Sequence, residues 1–205
     1  MKTKSGYCLA LLICLYFFVG RPPISAQESN EAEKYVPTYT LGNQVLMING
    51  GFFVPLFFQS LSGGIDNTNL SVGGAGSIQW GAYLNNEMTL GLEGGGMFSF
   101  SPNGRTLFML PVTVRYAYIL QFYPWEFPLS LSAGFNFTRL DTQFKILPIL
   151  KPGVSIYWNY SLDWAFGVNF FYWWSPNIYQ GPEPPSSHSR IGNFLEITLS
   201  ALYHF

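Results

Sequence analysis

A chain of 205 residues that is 48% apolar, 19% aromatic and only 10% charged has the length of one domain. It does not have the surface of an ordinary soluble one, where about a quarter of residues are charged, and its aromatic content excludes disorder. Ten basic against eleven acidic residues leave a net charge of −1, so no basic face points to nucleic acid.

The chain opens on an export signal. Lys2 and Lys4 form a positive start, Leu9–Val19 is unbroken apolar sequence, and Ile24-Ser25-Ala26 ends on a small residue, which predicts a signal peptide over 1–26 cleaved after Ala26. The apolar stretch is too short for a membrane helix, which takes about 20 residues. Cys8 and Cys14 leave with the signal. The mature chain then has no disulfide, thiolate metal site or cysteine nucleophile. Residues 27–45 are polar, carry Glu28, Glu31 and Glu33, and read as a periplasmic N-terminal lead-in.

From residue 46 onward apolar and polar residues alternate with a period of two, the strand signal. Eight strands are predicted: Leu46–Gln59, Ser71–Leu84, Met88–Phe100, Leu107–Leu120, Leu129–Leu140, Gln143–Trp158, Asp163–Trp174 and Ile191–Phe205. Asn85-Asn86 and Asn159-Tyr160 read as tight hairpin turns. Ser60–Leu70, Ser101–Thr106 and Ser175–Arg190 read as longer loops. The last strand is the clearest. Leu195, Ile197, Leu199, Ala201, Tyr203 and Phe205 share one face, while Glu196, Thr198, Ser200 and His204 share the other. Every strand carries such an apolar face. The fold class expected is therefore all-β, an eight-stranded antiparallel transmembrane β-barrel over 46–205, with lipid-facing apolar bands and both ends in the periplasm. Trp80, Tyr118, Trp158, Trp164, Tyr203 and Phe205 would form the periplasmic girdle. Phe58, Phe98, Phe100, Phe137, Tyr172 and Trp174 would form the outer one. Tyr203 and Phe205 would also serve as the C-terminal signal read by the barrel assembly machinery.

With the apolar faces outward, the inward residues follow. The periplasmic half would carry Asn49, Gln79, Glu93, Arg115, Ser155, Asp163, Asn169 and Ser200, with Glu93 and Arg115 paired on neighbouring strands because a lone buried charge is costly. Lys151 and Glu196 would add charges at mid-height. The outer half would be apolar: Phe53, Phe57, Met97, Leu107, Met109, Leu147, Ile149, Phe171, Trp173 and Phe194. An eight-stranded barrel has room for side chains or one small ligand. These residues either pack together or form a pocket for an apolar solute, open outward. Pro55, Pro111, Pro148 and Pro152 interrupt strands, where proline removes a ladder hydrogen bond. Pro111, in the fourth strand, would open the wall or only bend it.

Several segments resemble the OmpW family of outer-membrane barrels. They are Leu90-Gly91-Leu92-Glu93 with Phe98-Ser99, Leu110-Pro111-Val112-Thr113-Val114-Arg115-Tyr116, and Ser132-Ala133-Gly134-Phe135-Asn136-Phe137-Thr138. Gly153-Val154, Asp163-Trp164, Val168-Asn169 and the terminal Leu202-Tyr203-His204-Phe205 continue the series. The resemblance implies an eight-stranded barrel with a hydrophobic lumen that takes up small hydrophobic molecules and releases them sideways near the proline. Pro111 matches the first proline of the family's segment; Val112 stands at the second.

The function expected is binding or passive passage of small hydrophobic molecules in the outer membrane of a diderm bacterium. The expected partners are those solutes, outer-membrane lipid and, during biogenesis, the assembly machinery; the barrel is expected to be a monomer. The alternative is an adhesive, OmpX-like barrel whose loops bind host or matrix partners, above all through the proline-rich Ser175–Arg190. A lipid-modifying enzyme would need His188, its neighbouring serines and Glu196 to converge at the outer rim. No catalytic residue is assigned. No metal site or cofactor is expected either, since two distant histidines form no ligand cluster. Gly94-Gly95-Gly96 lies within a strand with no helix after it, so it is not a phosphate loop.

Overall fold

The computed structural model describes residues 38–60, 63–101, 104, 106–140, 143–177 and 190–205. The expected signal peptide over 1–26, most of the expected lead-in and His188 lie outside the described residues. Among the described residues nine strands follow in chain order: β1 (Gln44–Ser60), β2 (Ile65–Asn67), β3 (Gly73–Asn85), β4 (Met88–Phe100), β5 (Thr106–Phe122), β6 (Trp125–Leu140), β7 (Gln143–Asn159), β8 (Trp164–Asn177) and β9 (Arg190–His204). The described residues contain no helix.

Eight of these strands close an all-β antiparallel barrel. Each long strand pairs with the next, and β9 returns to β1, from Val45 opposite His204 to Ser60 opposite Arg190. The short β2 extends the β1 seam beyond β3, with Phe57 opposite Asn67 and Gln59 opposite Ile65. Closure leaves no long free edge.

Two predicted turns shift. The β3–β4 turn is Asn86-Glu87, because the Asn85 side chain accepts the Glu87 N–H at 2.9 Å and ends the strand there. The β7–β8 turn takes in residues 160–163, so Asp163 sits exposed in the turn and not in the lumen. Its carbonyl accepts the His204 N–H at 2.8 Å.

The barrel is apolar on the outside. Ile48, Phe52, Ile78, Leu92, Val112, Val114, Phe135 and Leu199 are each more than half exposed. Their in-strand neighbours Asn49, Ser77, Gln79, Glu93, Thr113, Asn136 and Ser200 are buried inside. Successive strand residues point to opposite faces, so the sequence alternation becomes an inside-out distribution of polarity. Aromatic rings ring the turn end: Trp164 lies 4.9 Å from Tyr203, and Tyr203 stacks 5.8 Å from Phe205. Phe98, Phe100 and Trp174 are exposed towards the loop end. Phe58 does not join them; it packs inward.

Candidate functional site

The lumen is built in three layers, each set by which inward residue types the strands place at that height. At mid-height the layer is charged and polar. Lys151 enters from β7 and crosses the lumen to the Glu93 carboxylate on β4, an ion pair in which both side chains are fully buried. Its Nζ also lies 3.1 Å from Glu196 Oε2 on β9. Trp173 Nε1 donates to the same Glu196 oxygen at 2.7 Å. Ser132 and Thr113 hydroxyls donate to Glu93 Oε2 at 3.2 and 3.4 Å. Lys151 Nζ also sits 4.5 Å over the Trp173 ring and 5.0 Å from the Phe171 ring centre. A buried cation is thus held between two carboxylates that also accept hydrogen bonds from Trp173, Ser132 and Thr113, the condition under which buried charge is tolerated.

Arg115 does not pair with Glu93, contrary to the sequence expectation. The register sets Glu93 opposite Thr113 and Arg115 opposite Gly91, so Arg115 lies nearer the turn end. Lys151 reaches Glu93 instead. Arg115 contacts Met47 Sδ at 4.0 Å and leaves Nε and one Nη without a protein partner. Asn169 on β8 ties β1, β7 and β9 to its own strand. Its amide lies 3.2 Å from Asn49 Oδ1, 3.1 Å from Thr198 Oγ1 and 3.0 Å from Ser200 Oγ, and it accepts the Tyr157 hydroxyl at 2.6 Å.

The turn end is sealed by a layer the sequence did not announce. Tyr39, from the lead-in, is buried with Val45, Met47, Tyr83, Ile119, Tyr157, Ala165 and Leu202. Its ring stacks 4.2 Å from Tyr83 and 4.7 Å from His204. Its hydroxyl lies 3.2 Å from His204 Nε2, and the Tyr83 hydroxyl lies 3.3 Å from Nδ1. Burial, with Glu126 nearby, pushes the Tyr39 phenol up, so it remains a hydroxyl. Backbone bonds fix the segment: Tyr39 N–H donates to Asn86 Oδ1, and Gly42 N–H to the Tyr83 carbonyl. Two voids beside Arg115 measure only about 10 Å³ each, space for one water.

The loop end is different. Phe53, Met97, Leu107, Met109, Ile149, Phe171, Trp173 and Phe194 form one buried apolar cluster. Above it lies a cavity of about 300 Å³ lined by Phe58, Leu107, Met109, Thr138, Lys145, Leu147, Ser175, Asn177, Arg190, Gly192 and Phe194. That is the small end of the usual range for ligand pockets. Leu147 is half-buried on its wall. Phe57, expected to line the lumen, does not belong to this set. The β1–β9 register shifts between Pro55 and Phe57, so Leu56 is an extra residue and the strand changes face. Phe58 turns inward in its place and meets Phe194 edge-on at 6.1 Å.

Pro111 is buried on the inner face of β5, two residues from Met109. The β4–β5 ladder runs to Gly94 opposite Val112 and resumes at Met97 opposite Met109 in the same register. The positions between, Gly95–Gly96 against Leu110–Pro111, are unpaired, as the missing proline N–H requires. On the outer face a methyl built on Gly94 would meet nothing within 4 Å, while on the inner face one on Gly95 would press on Ser77 and the Gly76 carbonyl at 2.8 and 2.9 Å. The ladder is unpaired there, two residues along β5 from Met109, which lines the cavity. Pro152 leaves a similar two-residue gap in the β7–β8 ladder.

Lys145, Thr138 and Arg190 at the cavity were not singled out from the sequence; they occupy strand ends, where alternation loses its meaning. No cluster of metal-ligating side chains occurs among the described residues.

Comparison with known proteins agrees with this architecture. A protein-family model matches residues 26–203. An uncharacterized protein of Borreliella burgdorferi is 30% identical over 154 residues, 64% of this chain and 72% of that protein. Among solved structures, Neisserial surface protein A is 10% identical and superposes with a TM-score of 0.59 over 79% of this chain and 97% of its own. The outer membrane protein OprG from Pseudomonas aeruginosa, also 10% identical, gives 0.50 over 83% of this chain and 99% of its own. At such identities the likeness lies in the barrel fold.

Proposed function

The chain belongs to the family whose model spans residues 26–203 and to which the Borreliella burgdorferi protein is related, and from that premise we propose an outer-membrane barrel, similar to the OmpW type, that binds small hydrophobic molecules at its loop end and releases them sideways into the membrane. The observation that carries this reading is the cavity of about 300 Å³ with an apolar floor, whose Met109 stands two residues along β5 from the unpaired stretch at Pro111. The exposed apolar band supports a lipid surround, since soluble monomers rarely expose contiguous apolar patches beyond a few hundred Å². The layer around Lys151 argues against passage straight down the axis, because a solute would have to part a buried ion pair and its hydrogen bonds. The solute would enter over Phe58 and Leu147, rest on Met109 and Phe194, and leave across the Gly95–Pro111 seam. No chemical step is involved.

The test is delivery of a small apolar solute into liposomes carrying the protein, beside empty liposomes and a Pro111→Ala barrel. Alanine restores the N–H that the ladder lacks and leaves the cavity walls in place. Flux that needs the protein and falls severalfold in Pro111→Ala is the expected result. No flux above empty liposomes would overturn the transport reading and turn attention to the loops as binding surfaces.

A further inference from the structure

We propose that the loop-end cavity selects amphipathic anions, single-chain carboxylic acids of roughly eight to ten carbons, over neutral apolar molecules. The inference rests on the cavity reading above and names the ligand's chemistry. The cavity has two characters. Its floor is Leu107, Met109 and Phe194, with no polar side chain to orient a ligand. Its rim carries two cations, Lys145 from β7 and Arg190 from β9.

Neither cation is strongly engaged. Lys145, exposed, donates from Nζ to Asn177 Oδ1 at 3.5 Å, and Arg190 lies 3.7 Å from Asp66, with the side chains of that pair about half exposed. No acidic side chain lines the cavity among the described residues; Asp66 meets Arg190 from outside the lining, and Lys145 is bonded to the neutral Asn177. A carboxylate between Lys145 and Arg190, with its chain laid against Met109 and Phe194, would engage both cations and the apolar floor. The length follows from the volume: about 300 Å³ is enough for a short acyl chain and its head.

The methionines supply a site-specific readout. Met109 lines the cavity, while Met47 lies in the turn-end layer. With methyl-labelled methionine and the protein in zwitterionic lipid nanodiscs, decanoate, decanol and decylammonium are titrated and the methyl resonances followed. Decanoate should move Met109 saturably, at a concentration at least tenfold below decanol and further below decylammonium, with Met47 unmoved. In the Lys145→Gln/Arg190→Gln variant, which alters only exposed rim side chains, decanoate should weaken to the level of decanol while decanol is unchanged. Equal binding of the acid and the alcohol to the unaltered protein would overturn the anion proposal and leave the apolar-cavity reading standing. Failure of all three to move Met109 would overturn both. A Met109 shift already present in discs of anionic phospholipid, before any acid is added, would identify a lipid headgroup as the occupant and overturn the assignment to a free acid.

Discussion

The two ends of this barrel use aromatic side chains for opposite purposes. At the turn end the inward aromatics are tyrosines with a histidine, each with a polar tip, and Tyr39, Tyr83 and His204 bond one another until almost no space remains. At the loop end they are Phe53, Phe58, Phe171, Trp173 and Phe194, joined by Met97 and Met109. These rings pack without polar links among themselves, and a cavity of about 300 Å³ is left above them. Phenolic tips give a closed end because each ring is fixed by a directional bond as well as by packing. Purely apolar side chains leave a volume that a solute can share. Between the two ends, the layer around Lys151 makes one barrel into a sealed half and a receptive half.

That layer is where the comparison is most easily broken. Lys151→Met would leave Glu93 and Glu196 buried without their cation, which should cost about 3–5 kcal/mol of stability, read as a fall in the urea midpoint of the barrel in lipid vesicles. Adding Glu93→Gln and Glu196→Gln to Lys151→Met should recover most of the loss, because the orphaned charges are then gone. A single variant as stable as the parent would mean that the carboxylates reach water, and the two halves would not be separated as described.

The sealed end gives a smaller effect. Tyr39→Ala removes the ring stacked on Tyr83 and His204 and should cost about 2 kcal/mol, less than a deep core truncation because its segment can settle into the gap. Tyr39→Phe keeps the stacking and loses the hydroxyl contact to His204, for about 1 kcal/mol. If Tyr39→Ala left stability unchanged and admitted no small polar solute into the vesicles, the lead-in would not be the seal.

Most of the barrel was legible in the sequence, because strand parity is a one-bit property that each inward or outward residue repeats. Glu196, Thr198 and Ser200 alternate with Ile197 and Leu199, and the structure buries the first set and leaves the second towards the outside. Features that parity does not encode were less legible. Tyr39 lies in a segment without periodicity, so nothing in its neighbours says that it folds back under the barrel. The partner of Glu93 depended on relative strand height and on the reach of a lysine across the lumen; adjacency of strands alone favoured Arg115. Phe57 was misplaced because Leu56 is a bulge residue in an unbroken apolar run, where a slip of one position leaves no mark on the pattern.

That bulge supplies the finest test of the receptive end. Phe57 and Phe58 are identical in chemistry and adjacent in sequence, so only their faces distinguish them. Phe58 lines the cavity and meets Phe194 edge-on, while Phe57 lies opposite Asn193 on the other face. Phe58→Ala should lower stability by about 1–2 kcal/mol, the value for a partly buried ring, and should enlarge the cavity so that a longer apolar chain binds more tightly. Phe57→Ala should change stability by about 0.5 kcal/mol or less and leave ligand length preference untouched. Paired urea titrations and a chain-length series on the two variants read both quantities. The reverse order of effects would mean that the alternation of β1 continues unbroken through Leu56, and the cavity would then be bounded by Phe57 as a plain reading of strand parity expects.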